Sequence, residues 1–277
     1  MARKRGSLRS ARLNQLGLVE DPFKLSADPR YLYLGEEHLA AYRQADNAVL
    51  RRRGLVLITG EAGTGKSSLA RRMYDLYRDE DDILIVYIPT ANFKTATAAA
   101  KNIASALEDL EIPIKRSFAN QIEELQKGIV RAYESDRNVV LVLDDAQLMK
   151  RDALEVIHEF YNFDFDEKLL QVLCFGQEET RSLFQQYPSV DKRVFVRMSL
   201  PPLSLPSASS MVNFRLRTAG RKANIFDDVA FEMLYEASGG IPRDIVRLCA
   251  LATDRMLEDG LDRIESDIMQ EIVDIGL

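Results

Sequence analysis

The sequence has few of the residues that build disulfide or metal frameworks. Its 277 residues include two cysteines and two histidines. Cys174 and Cys249 each lie in an apolar stretch, so we expect buried free thiols and no disulfide framework. His38 and His158 are too few and too far apart in sequence to suggest a metal site with those cysteines. We interpret both histidines as structural or surface residues.

Long hydrophobic runs are also lacking. No stretch is apolar over the length needed to cross a bilayer, and the N-terminal charges are not followed by the apolar core of a signal peptide. The sequence therefore predicts a cytoplasmic protein without a membrane partner. It contains no internal repeat and no low-complexity tract.

The sequence also has no excess of positive charge. The chain has 37 Lys and Arg against 43 Asp and Glu, for a net charge of −6. Any contact with nucleic acid must therefore come from a local patch. Residues 1–20 are interpreted as a flexible basic arm, and the alternative is a disordered terminus with no ligand. Its candidate DNA-binding residues are Arg3, Lys4, Arg5, Arg9 and Arg12.

One motif stands out against these absences. Residues 60–67 read GEAGTGKS, which fits the P-loop pattern, with an apolar run before it and a helix-compatible stretch after it. Such a loop points backbone N–H groups at phosphates, and Lys66 would contact the β- and γ-phosphates. The alternative is a glycine-rich turn that fits by accident. The predicted ATP-binding residues are Gly60, Glu61, Ala62, Gly63, Thr64, Gly65, Lys66, Ser67 and Ser68.

The pattern of apolar runs predicts an α/β fold with a second, helical domain. Five β-rich runs alternate with helical stretches, which is typical of a parallel sheet. They lie at residues 55–59, 83–88, 139–143, 169–175 and 194–200. After the proline-rich segment that ends at Pro206 the pattern is helical only. We expect a nucleotide-binding domain over residues 21–203 and a helical lid over residues 204–277.

Two carboxylates follow the third predicted strand. Asp144 is placed to hold Mg²⁺ together with Ser67, and Asp145 could act as general base toward the attacking water. The alternative is an ordinary acidic turn. Gln177 follows the next predicted strand, where its amide would sense the γ-phosphate.

Two arginines are candidates for contact with a polyphosphate. Arg193 precedes the fifth predicted strand, and Arg243 follows Gly239-Gly240-Ile241-Pro242 at the start of a predicted helix. The fixed charge and bidentate geometry of arginine suit phosphate groups. For each of them the alternative is a surface salt bridge.

Taken together, these segments resemble the ExeA/GspA-type AAA+ ATPases, a family related to the TniB/TnsC-type ATPases of transposition. The likeness rests on DPFKLSADPRYLYLG, GEAGTGKS, LVLDDAQ, CFGQEE, RMSLPPLS and SGGIPRDIVRLCALA, and it runs from about Asp21 to Val273. It implies a P-loop NTPase fold of the AAA+ class, with a five-stranded parallel sheet and a C-terminal all-helical lid.

The resemblance also implies roles for individual residues. Gln177 corresponds to sensor 1 and Arg243 to sensor 2. Arg193 resembles the arginine finger offered to a neighbouring subunit, with Arg197 as the alternative. Tyr31 and Leu32 fall in the segment that lines the adenine pocket in the family.

Two features depart from the family pattern. The family usually has Glu where this chain has Asp145, which implies slow hydrolysis because the side chain is one methylene shorter. The secretion proteins of the family continue into a membrane span and a periplasmic part, and we expect neither here.

The resemblance predicts an ATPase that uses ATP and Mg²⁺ and assembles into a ring or helical filament. One hypothesis is a regulator of transposition target selection that binds duplex DNA and a transposase or target-selection protein. Lys94 and Lys101 are further DNA candidates for it. The second hypothesis is a soluble ExeA-like ATPase that acts on a secretion or pilus-assembly complex without DNA. The third possibility is a signalling or defence switch that uses the same ATPase domain without DNA.

Overall fold

The chain forms two compact units in its computed structural model, which describes residues 12–25, 28–162 and 167–275. Of the described residues, the α/β unit comprises 38–62, 66–162 and 167–200. The helical unit comprises 12–25, 28–37, 63–65 and 201–275. These divisions differ from the predicted domain boundaries, chiefly because residues 21–37 group with the helices and not with the sheet.

A five-stranded parallel sheet organises the α/β unit, which confirms the predicted sheet. Its order is β2-β3-β4-β1-β5. All residues of β1, β3 and β4 are buried, as expected for apolar strands covered on both faces. Because β3, β4 and β1 are neighbours and run parallel, their C-terminal ends lie side by side at one edge of the sheet. The strands are β1 (Leu55–Gly60), β2 (Ile83–Ile88), β3 (Asn138–Leu143), β4 (Leu170–Gly176) and β5 (Val194–Leu200).

Helices connect the strands of this sheet. Side-chain caps fix where two of them begin, because Thr95 accepts a hydrogen bond from the Ala98 amide and Ser117 accepts one from the Asn120 amide. Short 3₁₀ turns occupy Glu108–Leu110, Ala146–Leu148 and Arg151–Ala153. The helices are α1 (Glu36–Leu50), α2 (Lys66–Tyr77), α3 (Ala96–Ala106), α4 (Phe118–Glu134), α5 (Leu154–Asn162), α6 (Glu178–Gln185) and α7 (Pro188–Asp191).

Four further helices form the C-terminal part of the helical unit. Asp227 caps the second of them, and Pro242 opens the third in the position where its missing N–H costs nothing. Gly239 and Gly260 end the second and third helices in the left-handed conformation. The helices are α8 (Leu205–Thr218), α9 (Asp228–Ser238), α10 (Pro242–Asp259) and α11 (Ser266–Ile275).

Each unit contains one free, fully buried cysteine, as the sequence predicts. Cys174 lies in β4 of the α/β unit, and Cys249 lies in α10 of the helical unit. Burial raises the pKa of the Cys174 thiol to about 12 and raises that of Cys249 further still. Both side chains are therefore protonated and apolar in the folded protein.

The described end of the predicted flexible arm is packed against the helical unit. Leu13, Leu16 and Leu18 are buried in its core. Arg12 donates hydrogen bonds to the carbonyls of Leu257 and Glu258 in the last turn of α10, where a cation is favourable. Residues 12–20 are thus held in place, which corrects the flexible interpretation for this part. Arg3, Lys4, Arg5 and Arg9 lie outside the described residues.

Arg215 fixes the segment between residues 21 and 32 to the same unit. Its guanidinium is buried and donates to the carbonyls of Pro22, Lys24 and Tyr31. It also lies over the Tyr31 ring, 5.0 Å from the centroid. Burial lowers the pKa of this guanidinium. The three carbonyl oxygens and the face of the Tyr31 ring stabilise its positive charge.

Candidate nucleotide-binding site

The P-loop begins where β1 ends. Gly63 and Gly65 have φ angles of +90° and +99°, a conformation that other residues rarely adopt. The backbone can therefore turn its N–H groups toward one point ahead of α2. An anion is attracted to such a loop by these N–H groups and by the helix dipole.

Lys66, the first residue of α2, has its ammonium group folded back onto the P-loop. The side chain is 8% exposed, and Nζ donates to the carbonyls of Gly60 at 2.9 Å and Glu61 at 2.6 Å. A buried cation that is held by neutral carbonyl oxygens keeps its full charge available for phosphate oxygens. Ser67 and Ser68 follow in the first turn of the helix.

Two carboxylates lie after β3 at the same edge of the sheet. Asp144 is 2% exposed; Oδ2 accepts from the Tyr87 hydroxyl at 2.9 Å, and Oδ1 accepts from the Asp145 amide at 2.9 Å. Burial, together with the charge of Asp144, raises the pKa of Tyr87 to about 12. Tyr87 therefore remains a hydrogen-bond donor that orients Asp144 at neutral pH. The sequence patterns did not reveal this residue.

Asp145 has a left-handed backbone, with φ of +50° and ψ of +40°. Among residues with a side chain, Asp and Asn tolerate this conformation best. The Asp145 Oδ1 accepts from Gln147 Nε2 at 3.0 Å, and Gln147 Oε1 accepts from the backbone amide of Gln177 at 3.1 Å. Gln147 thus joins the ends of β3 and β4 and holds Asp145 and Gln177 next to each other.

Gln177 is half-buried and follows β4 directly. The preceding glycine is required by packing, since a Cβ on Gly176 would collide with Thr180 Oγ1. Gln177, Asp144 and Asp145 therefore lie at the same edge of the sheet, and Gln147 links Asp145 to Gln177. The roles predicted for these residues remain predictions. The sequence gives no indication of the role of Gln147 other than its position after the two carboxylates.

Arg193 lies at the opposite edge of the sheet from these residues. It precedes Val194, which pairs with Leu55 at the start of β1, whereas the P-loop follows the end of β1. Five steps along a strand correspond to about 17 Å. The structure does not bring Arg193 to the P-loop of its own subunit.

The Arg193 guanidinium is held within its own chain. It donates to the His158 carbonyl at 2.9 Å, to His158 Nδ1 at 3.2 Å and to Asn162 Oδ1 at 2.7 Å. We call these three contacts the Arg193 latch. Arg197 is also paired, with its Nη2 2.8 Å from Asp191 Oδ1. Neither arginine is a free surface cation.

Three further predicted residues belong to the helical unit. Arg243 begins α10, and its amide donates to the Gly63 carbonyl at 3.3 Å. A Cβ on Gly63 would lie 2.8 Å from Ile241 Cγ2 and 3.0 Å from Arg243 Cβ, so only glycine fits there. Tyr31 is buried, with its pKa raised to about 12 by burial, and Leu32 is half-buried.

The predicted DNA-binding lysines lie near α3. Lys94 is exposed in the connection between β2 and α3, and Lys101 is half-buried on α3 itself. Arg12, as described above, is engaged at the end of α10.

The residues present fit ATP with Mg²⁺. The positive-φ glycines and the buried lysine match the needs of a triphosphate, and Asp144 is a buried carboxylate with free lone pairs beside its two donors. No cluster of three or more His, Cys, Asp or Glu side chains forms a metal cage within residues 12–25, 28–162 and 167–275. Mg²⁺ does not need such a cage, because it takes one or two protein ligands and completes its shell with phosphates and water.

Comparison with known proteins places this site in a family context. Residues 49–184 match the sequence family described as AAA domain. The chain is 31% identical over 236 residues to General secretion pathway protein A of Aeromonas hydrophila, covering 84% of this chain and 42% of that protein. It thus spans about two fifths of the length of that relative.

Solved structures share the fold at low sequence identity. The ORC2 protein of Aeropyrum pernix, in ADPNP–ADP complexes, superposes with a TM-score of 0.65 at 15% identity, covering 92% of this chain and 70% of that one. Drosophila ORC bound to DNA gives 0.66 at 15% identity, covering 96% and 65%. Across the described residues, no helix is long and apolar enough to cross a membrane.

Proposed function

We propose that this chain, whose residues 49–184 belong to the AAA domain family, is an ATPase that hydrolyses ATP at sites shared between subunits. The observation that carries the proposal is that Lys66 lies after β1, and Asp144 and Asp145 lie after β3, at the same edge of one parallel sheet. Release of phosphate from ATP in the presence of Mg²⁺ is the test. A purified, folded chain without this activity would contradict the proposal.

Each residue at this edge has a separate task. Lys66 and the P-loop amides bind the β- and γ-phosphates, while Ser67 and Asp144 would hold Mg²⁺. When bound, the ion would neutralise the negative charge that develops on the phosphate oxygens. Tyr87 keeps Asp144 oriented through its hydroxyl. Arg243 and the segment with Tyr31 and Leu32 would read the nucleotide from the helical unit.

Asp145 is the proposed general base, and Gln147 positions it. Asp145→Asn should leave binding of ATP and Mg²⁺ unchanged and lower the hydrolysis rate by about 10²-fold, because an amide cannot accept the proton of the attacking water. Asparagine also tolerates the left-handed backbone, so the variant should fold normally. ATP affinity and single-turnover hydrolysis measure the two effects.

Two matched variants separate the roles of the carboxylates. Asp144→Asn should weaken Mg²⁺ binding, so that hydrolysis requires a higher Mg²⁺ concentration, whereas Asp145→Asn should leave that requirement unchanged. Asp145→Glu restores the residue usual in the resembled family and should speed turnover if reach limits the rate. Identical behaviour of Asp144→Asn and Asp145→Asn would show that this division of roles is wrong.

The proposal that two subunits share each ATP site rests on the position of Arg193 in the sheet. An arginine at the far edge of the sheet is too distant to serve the nucleotide of its own subunit, but a neighbouring subunit could receive it. This supports its role as an arginine finger in an oligomer, either a ring or a helical filament.

For the cellular role we favour a cytoplasmic regulator of transposition target selection that binds duplex DNA and a transposase or target-selection protein. Its support is the fold shared with Drosophila ORC, a protein solved bound to DNA, together with the basic N-terminal residues. The alternative is action on a secretion or pilus-assembly complex without DNA. It is supported by the 31% identity to General secretion pathway protein A.

Deletion of residues 1–11 tests the DNA role. Arg3, Lys4, Arg5 and Arg9 should contribute phosphate contacts without sequence preference. The deletion should therefore weaken duplex binding and flatten its salt dependence, while ATPase activity without DNA stays intact. It must leave Arg12 in place, because that side chain holds the end of α10. Unchanged DNA affinity would reject the arm as a binding element.

A further inference from the structure

The two residues proposed to hold Mg²⁺ come from different elements of the α/β unit. Ser67 lies in the first turn of α2, and Asp144 directly follows β3. Because Mg²⁺ demands a near-ideal octahedral shell, the positions of these two side chains relative to each other matter for its affinity. Strand β2 is placed to set them, since it pairs with β3 and packs against α2.

Tyr87 on β2 is hydrogen-bonded toward both of these elements. Its hydroxyl donates to Asp144 Oδ2 at 2.9 Å. Burial and the charge of Asp144 raise the pKa of Tyr87, whereas a hydrogen bond from Arg71 of α2 lowers it. The hydroxyl thus lies between a guanidinium and a carboxylate. We call Arg71, Tyr87 and Asp144, joined in this way, the Tyr87 bridge.

The direction of each hydrogen bond in the Tyr87 bridge is fixed by the chemistry of its groups. A guanidinium can only donate and a carboxylate can only accept, while a tyrosine hydroxyl has one hydrogen to donate and lone pairs that accept. Arg71 must therefore donate to the Tyr87 oxygen, which leaves the hydroxyl hydrogen for Asp144. The positive charge of Arg71 polarises the hydroxyl and strengthens the bond that it donates.

One face of α2 contains the residues that this arrangement requires. Ser67, Arg71 and Tyr74 are spaced by four and three residues, so they lie along one side of the helix. The Tyr74 ring packs against the Tyr87 ring, with centroids 6.0 Å apart and planes inclined by 38°. This aromatic contact holds the ring, and the hydroxyl makes the hydrogen bonds of the bridge.

We propose that Tyr87 and Arg71 are positioning residues for the Mg²⁺ of the nucleotide site. The Tyr87 bridge fixes Asp144 relative to Ser67 on α2 before the ion arrives. The inference rests on the ATPase function proposed above and adds two residues to it, which act through Asp144 and would not touch the ion or the nucleotide. Partners that orient a metal ligand contribute about 10- to 100-fold to metal affinity.

The test uses the full chain and measures nucleotide affinity, not activity. Binding of a fluorescent ATP analogue is measured in EDTA and in excess Mg²⁺, and the ratio of the two affinities is the gain due to the metal. Tyr87→Phe removes the hydroxyl and keeps the ring that packs on Tyr74. Arg71→Gln removes the other end of the bridge. The control is Arg72→Gln, which deletes the adjacent exposed charge of α2, a charge that acts on Tyr42 of α1.

Tyr87→Phe should reduce the gain due to Mg²⁺ by about tenfold, the lower end of the range for groups that orient a metal ligand. Its affinity for the analogue in EDTA should equal that of the unchanged chain. Arg71→Gln should reduce the gain by a smaller factor. The double variant should match Tyr87→Phe alone, because Arg71 acts through the hydroxyl that is already absent. The Arg72→Gln control should keep the full gain.

A purely structural role for Tyr87 would give a different pattern. Tyr87→Phe would then lower the temperature of unfolding and keep the full gain due to Mg²⁺, which would overturn the inference. Independent, multiplying effects of Arg71→Gln and Tyr87→Phe would contradict the bridge between them.

Asp144→Asn distinguishes failure of this inference from failure of the proposed metal site. If Asp144→Asn loses the gain due to Mg²⁺ and Tyr87→Phe keeps it, the positioning role is wrong and the site stands. If Asp144→Asn also keeps the gain, the proposed Mg²⁺ site is wrong, and the inference is rejected with it.

Discussion

Lys66→Ala should lower the affinity for ATP by about 10²-fold or more, the scale expected when one member of a buried charge pair is truncated. The substitution removes the point charge that we propose faces the β- and γ-phosphates. It leaves the apolar strands of the sheet untouched, and the freed carbonyls of Gly60 and Glu61 can be hydrated. Equilibrium binding of a fluorescent ATP analogue would measure the effect.

The matched control for this variant is Lys94→Ala, which removes an exposed lysine in the connection after β2. It should bind ATP with normal affinity. Circular dichroism would verify that Lys66→Ala keeps its secondary structure. Normal affinity in a folded Lys66→Ala protein would reject the P-loop as the nucleotide site.

The second large effect is expected for Arg193→Ala. Hydrolysis should fall by about 10³-fold, the lower end of the range for arginine fingers supplied in trans, while ATP still binds. The substitution also removes three hydrogen bonds to His158 and Asn162, so unfolding should be measured in parallel. Arg197→Ala tests the alternative candidate for the finger, four residues along the chain: it should retain activity if Arg193 is the finger, and an equal loss of activity would favour Arg197 instead.

Mixing experiments identify the subunit that supplies the arginine. Lys66→Ala subunits should bind little nucleotide but still carry Arg193, so mixing them with Arg193→Ala subunits should restore part of the activity at mixed interfaces. The specific activity of the unchanged chain should rise with protein concentration. Activity that is independent of concentration, with no rescue on mixing, would return Arg193 to the status of a structural residue.

Much of this architecture could be predicted from the sequence because its signals are local. Apolar runs placed all five strands within a residue or two, and the P-loop pattern placed the loop between β1 and α2. The prediction of an AAA+ fold is confirmed by the sequence family that matches residues 49–184 and by the solved structures that share the fold. Strand ends then placed Asp144, Asp145 and Gln177 at one edge.

The remaining contacts depend on residues that are far apart in the chain. Tyr87 meets Asp144 only because β2 and β3 are neighbours in the sheet. The latch joins Arg193 to Asn162 and His158, which lie 31 and 35 positions before it in the sequence. Periodicity carries no information about such pairs. The packing of residues 12–20 is hard to predict for another reason: the apolar residues Leu13, Leu16 and Leu18 follow a run of basic residues that is typical of a solvated arm.

The two buried cysteines give the molecule a pair of internal reporters. Because each thiol is fully buried and protonated, an alkylating reagent reacts with it only when the surrounding unit opens. Cys174 reports on the sheet and Cys249 on the C-terminal helices. Mass spectrometry can read both sites in one sample, so the local stability of each unit can be followed separately, without a label and without any change to the sequence.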